Sequence, residues 1–124
     1  IMNGYEIRRF KTANGNFFVY EVDTLTGSAD NPLIVGEGYY VDADGQLVHS
    51  IGKNGKKRSP RRDSAMKERH WASKTFGEDF HEEVVKGPLA EKLWDLFDSR
   101  IPQQRTFGPT DRGNPFEVLK GLRG

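Results

Sequence analysis

The sequence contains no cysteine. That absence removes disulfides, thiolate zinc sites and cysteine nucleophiles together, and it leans towards a reducing compartment. Long apolar runs are missing as well: none approaches the ~20 residues that a membrane-spanning helix needs. The N-terminus has no basic stretch followed by an apolar one, so no secretion signal is visible in the chain. Ile1 ahead of Met2 suggests one added residue before a start codon, with the expectation that the chain is trimmed. Catalytic fingerprints are absent too. There is no Gly-x-Ser-x-Gly, no phosphate-binding P-loop, no dinucleotide-binding glycine pattern and no His-Glu-x-x-His. These absences point to the cytoplasm, or to the nucleoid or nucleus, and to a protein without a membrane partner.

The chain has 124 residues, a length suited to a single domain over 1–124. Apolar residues make up only 35% and charged ones 30%, so a core depends on the aromatics: eight Phe, four Tyr and two Trp. Each can bury ~150–250 Å². Many of them fall in the first half, in β-branched, aromatic runs typical of strands. Two runs within Tyr5–Val22 flank Ala13-Asn14-Gly15-Asn16, and Asn-Gly supplies the adjacent positive-φ residues of a tight hairpin turn. Leu33–Val41 and Gln46–Ile51 flank Asp42-Ala43-Asp44-Gly45 in the same way. That segment has two acids in common with a calcium loop but lacks its terminal Glu, so it reads as a turn. Residues 1–52 are therefore expected to form a four-stranded antiparallel β-meander.

The period then changes. Gly52–Arg62 reads as a linker, with 53–62 its basic part, and Ser59-Pro60 or Asp63 as the cap of a first helix that Gly77 ends. A short second helix is expected over Asp79–Lys86. A third opens at Gly87-Pro88, where Leu89, Leu93, Leu96, Phe97 and Ile101 follow helical spacing. The helices thus occupy 63–101, and Gly-Pro and Asn-Pro punctuation makes 102–124 an extended tail with one turn near Phe116–Leu119. The fold class is α+β: a four-stranded antiparallel meander of two hairpins, then two or three α-helices and the tail.

Charge is segregated along this plan. Residues 1–52 carry three Lys/Arg against seven Asp/Glu, a net of −4. Residues 53–74 carry nine against two, a net of +7, and residues 75–99 carry two against seven, a net of −5. The remaining residues, 100–124, return to a net of +3. The block Lys53, Lys56, Lys57, Arg58, Arg61 and Arg62 holds six cations in ten residues, and Lys67, Arg69 and Lys74 extend it onto the next helix. Such density reads either as a solvated linker or as a phosphate-binding patch whose affinity comes from counterion release. Pairing with the acids Glu78, Asp79, Glu82 and Glu83 is a third possibility.

Asn16–Asp23 is apolar on both faces, with Phe17 and Val19 on one and Phe18, Tyr20 and Val22 on the other. The rings serve either as core or, if some remain uncovered, as a stacking platform for single strands or a homodimer surface. Three functions follow. The leading one is a small, non-catalytic, nucleic-acid-associated binding protein, for DNA or RNA, that contacts phosphates through Lys53, Lys56, Lys57, Arg58, Arg61, Arg62, Lys67, Arg69 and Lys74. The second is a metal-independent, RNase-like toxin or nuclease domain drawing on His49, His70 or His81 with Glu68 or Glu82 and Arg61 or Arg62. The third is a protein-interaction module or inhibitor steered by the segregated charge. No cofactor is implied. Glu78-Asp79-Phe80-His81 has the Glu-x-x-His spacing, but it occurs once where a di-metal site needs it twice, so no metal is assigned.

Overall fold

The run that is apolar on both faces takes the position that such a run needs, the middle of a sheet. In a computed structural model of the chain, which describes residues 4–28, 31–98, 107–109 and 112–114, β1 (Tyr5–Lys11), β2 (Phe17–Asp23) and β3 (Leu33–Val41) form an antiparallel meander with β2 at its centre. The chain divides into two compact units, Ile1–Glu91 and Lys92–Gly124. Within the first, Val19, Tyr20, Glu21 and Val22 are all buried, on both faces of β2. One face carries an aromatic cluster in which Phe10 lies 5.4 Å from Phe18, 5.9 Å from Tyr20 and 5.4 Å from Phe80, with Tyr40 5.0 Å from Phe18. Ala65 and Ala72 of α1 (Ala65–Phe76) join this cluster, so the helix covers that face. Of the sheet aromatics, Phe10, Phe18, Tyr20 and Tyr40 are core, while Tyr5, Phe17 and Tyr39 are half-buried.

The first turn matches expectation. Asn14 (φ 67°) and Gly15 (φ 73°) are adjacent left-handed residues, and Thr12 N donates to Asn16 O at 2.8 Å. The second turn departs from it in detail. At Asp44-Gly45 only Gly45 is left-handed (φ 86°), and Asp42 Oδ1 accepts from the amides of Asp44 and Gln46.

The sheet's outer strands require correction. Gln46–Ile51 is not the fourth strand of the meander. It meets β3 at the single bridge Val41–Leu47, and its end, β4 (Ser50–Ile51), pairs instead with β5 (Lys57–Arg58). The cause lies at Tyr40, whose carbonyl accepts from Val48 N at 3.0 Å while its amide donates to Pro60 O at 2.8 Å. The segment after Pro60 therefore claims the edge of β3, as β6 (Arg61–Arg62). The basic stretch is thus a hairpin and an edge strand rather than a linker.

The second expected helix, Asp79–Lys86, is also absent. A single 3-10 turn (Gly77–Asp79) leads into β7 (Glu82–Val84), which pairs with β1 and completes the order β6-β3-β2-β1-β7. Cross-strand chemistry explains it, because Glu83 pairs with Arg9 at 2.6 Å and Glu82 with Arg8 at 3.0 Å. The cap of α1 is Ser64, one residue past Asp63, and its Oγ accepts from Lys67 N at 3.2 Å. Gly77 (φ 55°) ends the helix as read.

α2 (Pro88–Asp98) starts at the expected Gly87-Pro88. Leu93, Trp94 and Phe97 are buried, Leu96 is half-buried, and Glu91, Lys92 and Asp95 are exposed. In the tail, β8 (Phe107–Pro109) pairs with β9 (Arg112–Asn114). The turn expected at Phe116–Leu119 lies outside the described residues. Among those residues no helix is long and apolar enough to cross a membrane.

Two substitutions check this architecture by chemical denaturation. Gly38 lies beneath Phe18, where an added Cβ would meet ring atom Cε2 at 2.7 Å and the Val19 carbonyl at 2.8 Å. Gly38→Ala is therefore expected to destabilise by ~1–3 kcal/mol, through overpacking. Leu93, 1% exposed, should lose ~2–5 kcal/mol on truncation to Ala. A loss below ~1 kcal/mol at either position would refute the packing described for it.

Candidate nucleic-acid interface

The nine cations of the basic block separate by residue type. Lys53 and Lys56 lie in the β4–β5 turn, which Gly52 N closes onto Lys56 O at 2.8 Å with Gly55 at φ 76°. Lys57 and Arg58 form β5, Arg61 and Arg62 form β6, and Lys67, Arg69 and Lys74 stand on α1. Every arginine of this set reaches a carboxylate. Arg61 pairs with Glu37 and with Asp63, the latter at 3.1 Å. Arg58 and Arg62 approach Glu68 at 3.9 and 3.7 Å. Arg69 grips Glu82 with Nε at 2.6 Å and Nη2 at 3.1 Å. By contrast Lys53, Lys56, Lys57, Lys67 and Lys74 are all exposed, and none has an acidic partner among the described residues. This division suits the chemistry: a planar guanidinium matches carboxylates in fixed geometry, while an ammonium stays hydrated.

Two carboxylates organise the arginines. Glu82 accepts from the Tyr20 hydroxyl, from Arg69 and from Arg8, tying β2, α1 and β1 to edge strand β7. Glu68 accepts from the Tyr40 hydroxyl and faces Arg58 and Arg62 near the opposite edge. Burial, and then the neighbouring carboxylate, push both phenols far above their ordinary value, so each remains a proton donor. Burial raises the Glu82 carboxyl, but the hydrogen bonds from Arg69 and Tyr20 outweigh it and hold that group below the usual carboxylate range.

Two of the lysines, Lys67 and Lys53, each line a concavity. At the start of α1 a cavity of about 550 Å³ is lined by Arg61, Arg62, Lys67, Ser59, Ser64 and Glu68, among others. A groove of about 380 Å³ lies between the two hairpin ends and α1, lined by Tyr40, His49, Ser50, Lys53, Arg58, Trp71 and Phe76 among others. Trp71 is 53% exposed and meets Phe76 edge-on at 6.1 Å. His49 donates from Nδ1 to the Arg58 carbonyl at 3.0 Å, which leaves Nε2 as the acceptor of the neutral ring. The Ser50 hydroxyl is shielded and has no hydrogen-bond partner among the described residues.

Sequence reasoning missed Trp71. Its signal was present, since Lys67, Trp71 and Lys74 fall at i, i+4 and i+7 and share one face of the helix. Of the nuclease candidates, Arg61, Arg62 and Glu68 line the cavity at the start of α1, His49 lines the groove, His81 lines a different cavity beside Arg9 and Glu83, and His70 is exposed on α1. Glu78 and His81 do not share a helical face, because the chain there is a 3-10 turn followed by a strand. Among the described residues no group of three or more His, Asp or Glu side chains is placed to hold a metal ion. Comparison with protein-family models, with curated proteins and with solved structures finds no match for this chain.

The Glu82 cluster has a pH signature. A carboxyl held below its unfolded value, about 4.3, contributes stability that is present above that value and lost as pH falls through the folded one. Glu82→Gln is expected to lower stability near neutral pH by on the order of 3 kcal/mol and to flatten the loss on acidification. The check is denaturation at a series of pH values, and an unchanged acid limb would show that Glu82 is not held in this way.

Proposed function

We propose that this chain is a small, non-catalytic, nucleic-acid-associated protein that holds phosphates through lysines on the β4–β5 hairpin and on α1. One observation carries the reading: Lys53, Lys56, Lys57, Lys67 and Lys74 are exposed and lack an acidic partner among the described residues. Those five can neutralise phosphates and release counterions without first breaking an internal ion pair. Arg61 and Arg69 already hold carboxylates, and Arg58 and Arg62 face Glu68 at 3.9 and 3.7 Å, beyond hydrogen-bond distance, so the role of the four in this reading is to position the hairpin and the helix. The acidic segment supports it as well. Its strand β7 forms the edge of the sheet opposite β6, and of the nine cations Arg69 alone pairs with it among the described residues, through Glu82.

The test separates lysines from arginines. Replacing Lys53, Lys56, Lys57, Lys67 and Lys74 with Gln should leave folding intact, because exposed side chains without partners contribute little to stability. Binding to all nucleic-acid sequences should weaken alike, and the slope of log K against log salt should flatten by ~0.7–0.9 for each phosphate that is no longer neutralised. Replacing Arg58, Arg62 and Arg69 should instead lower the denaturation midpoint. An unchanged salt slope in the lysine variant, or no binding by the parent protein at ~50 mM salt, would overturn the reading.

A further inference from the structure

The basic surface explains affinity for any polyanion, but it does not explain the groove beside it. A surface built only for phosphates has no use for an exposed indole. Trp71 nevertheless leaves 53% of its surface in water, on the same helical face as Lys67 and Lys74. The same groove is lined by Lys53, Arg58 and His49. A flat aromatic ligand with polar edges and a charged backbone answers all of these features together. The ring stacks on the indole, the edge meets His49, and the backbone phosphates meet the lysines. The volume of about 380 Å³ is at the lower end of the range for small-ligand pockets, ~300–1,000 Å³.

Building on the nucleic-acid reading above, we propose that this groove receives one unpaired nucleobase stacked on Trp71, which makes the protein selective for single strands over duplex. In a duplex each base already has stacking and pairing partners, and extruding one costs a few kcal/mol. In a single strand the base is free to enter while its neighbours' phosphates lie along Lys67 and Lys74. Stacking carries little sequence information, because every base offers a π-face. The site therefore discriminates strandedness more than sequence.

The experiment uses the full chain and four probes: single-stranded DNA and RNA oligomers of equal length, the matching DNA duplex, and inorganic polyphosphate as a polyanion without bases. The parent protein should bind a single strand more tightly than duplex or polyphosphate, with quenching of tryptophan fluorescence that a Trp71→Phe variant largely lacks. Comparison of the DNA and RNA arms identifies which strand is preferred. Trp71→Ala should weaken single-strand binding about 5- to 150-fold, leave polyphosphate binding and the salt slope unchanged, and keep the circular dichroism of the parent. Trp71→Tyr should retain most of the preference, which guards against a loss due only to misfolding. Equal affinity for polyphosphate and single strands, or no quenching on binding, would overturn the nucleobase site while leaving the phosphate reading intact. Failure to bind any of the four probes would overturn both.

Discussion

The arrangement of this protein depends on how α1 is held against the sheet. The helix offers modest apolar surface of its own: its buried residues are two alanines, Ala65 and Ala72, with Phe76 packed against the core at its end. Small side chains allow close approach, but they supply only modest apolar burial. Glu82 and Glu68 provide what the alanines do not. Glu82, on β7, receives Arg69 from the helix, Arg8 from β1 and the Tyr20 hydroxyl from β2. Glu68, on the helix itself, receives the Tyr40 hydroxyl of β3 and faces Arg58 and Arg62. Half-buried charges of this kind are not automatically stabilising, because desolvation opposes them. Their value is geometric, since each arginine and phenol finds its acceptor in one register only.

That constraint explains which parts of the fold were legible in the sequence. Asn14-Gly15 and Gly87-Pro88 act through local backbone preference, and both mark the ends of elements as read. The strand Glu82–Val84 has no such local mark. It is an acidic segment whose extended form depends on Arg8 and Arg9, more than seventy positions away. Helical and extended readings were locally close there, and a distant partner decided between them. The β4–β5 hairpin did carry a signal, Asn54-Gly55, of the same kind that located the first turn. Each of its strands is two residues long, too short for an alternation to show, and the lysines around the turn suggested a linker.

The candidate site was legible in outline and not in its division of labour. Net charge located the nine cations, but charge cannot say which of them are already paired. Pairing followed from burial: Arg58, Arg62 and Arg69 are each partly covered, and each reaches one of the two carboxylates beneath α1. The aromatic contribution was sought on the sheet because the rings are dense there. Phe10, Phe18, Tyr20 and Tyr40 are consumed by the core, and among the described residues the exposed ring is the helix's Trp71.

The outward position of Trp71 follows from the clamp itself. Glu68, Arg69 and Ala72 must all point towards the sheet, with Phe76 packed on the core one turn later. A helix turns by 3.6 residues, so fixing positions 68, 69, 72 and 76 inward leaves 67, 71 and 74 on the far side. The sequence places lysine, tryptophan and lysine there. A tryptophan in that position keeps apolar area in water, where each Å² is worth ~25 cal/mol to anything that covers it. Nearly half of the residue's surface is covered, in part by the edge-on contact with Phe76. The carboxylate and arginine of this helix thus face in, and its lysines and indole face out.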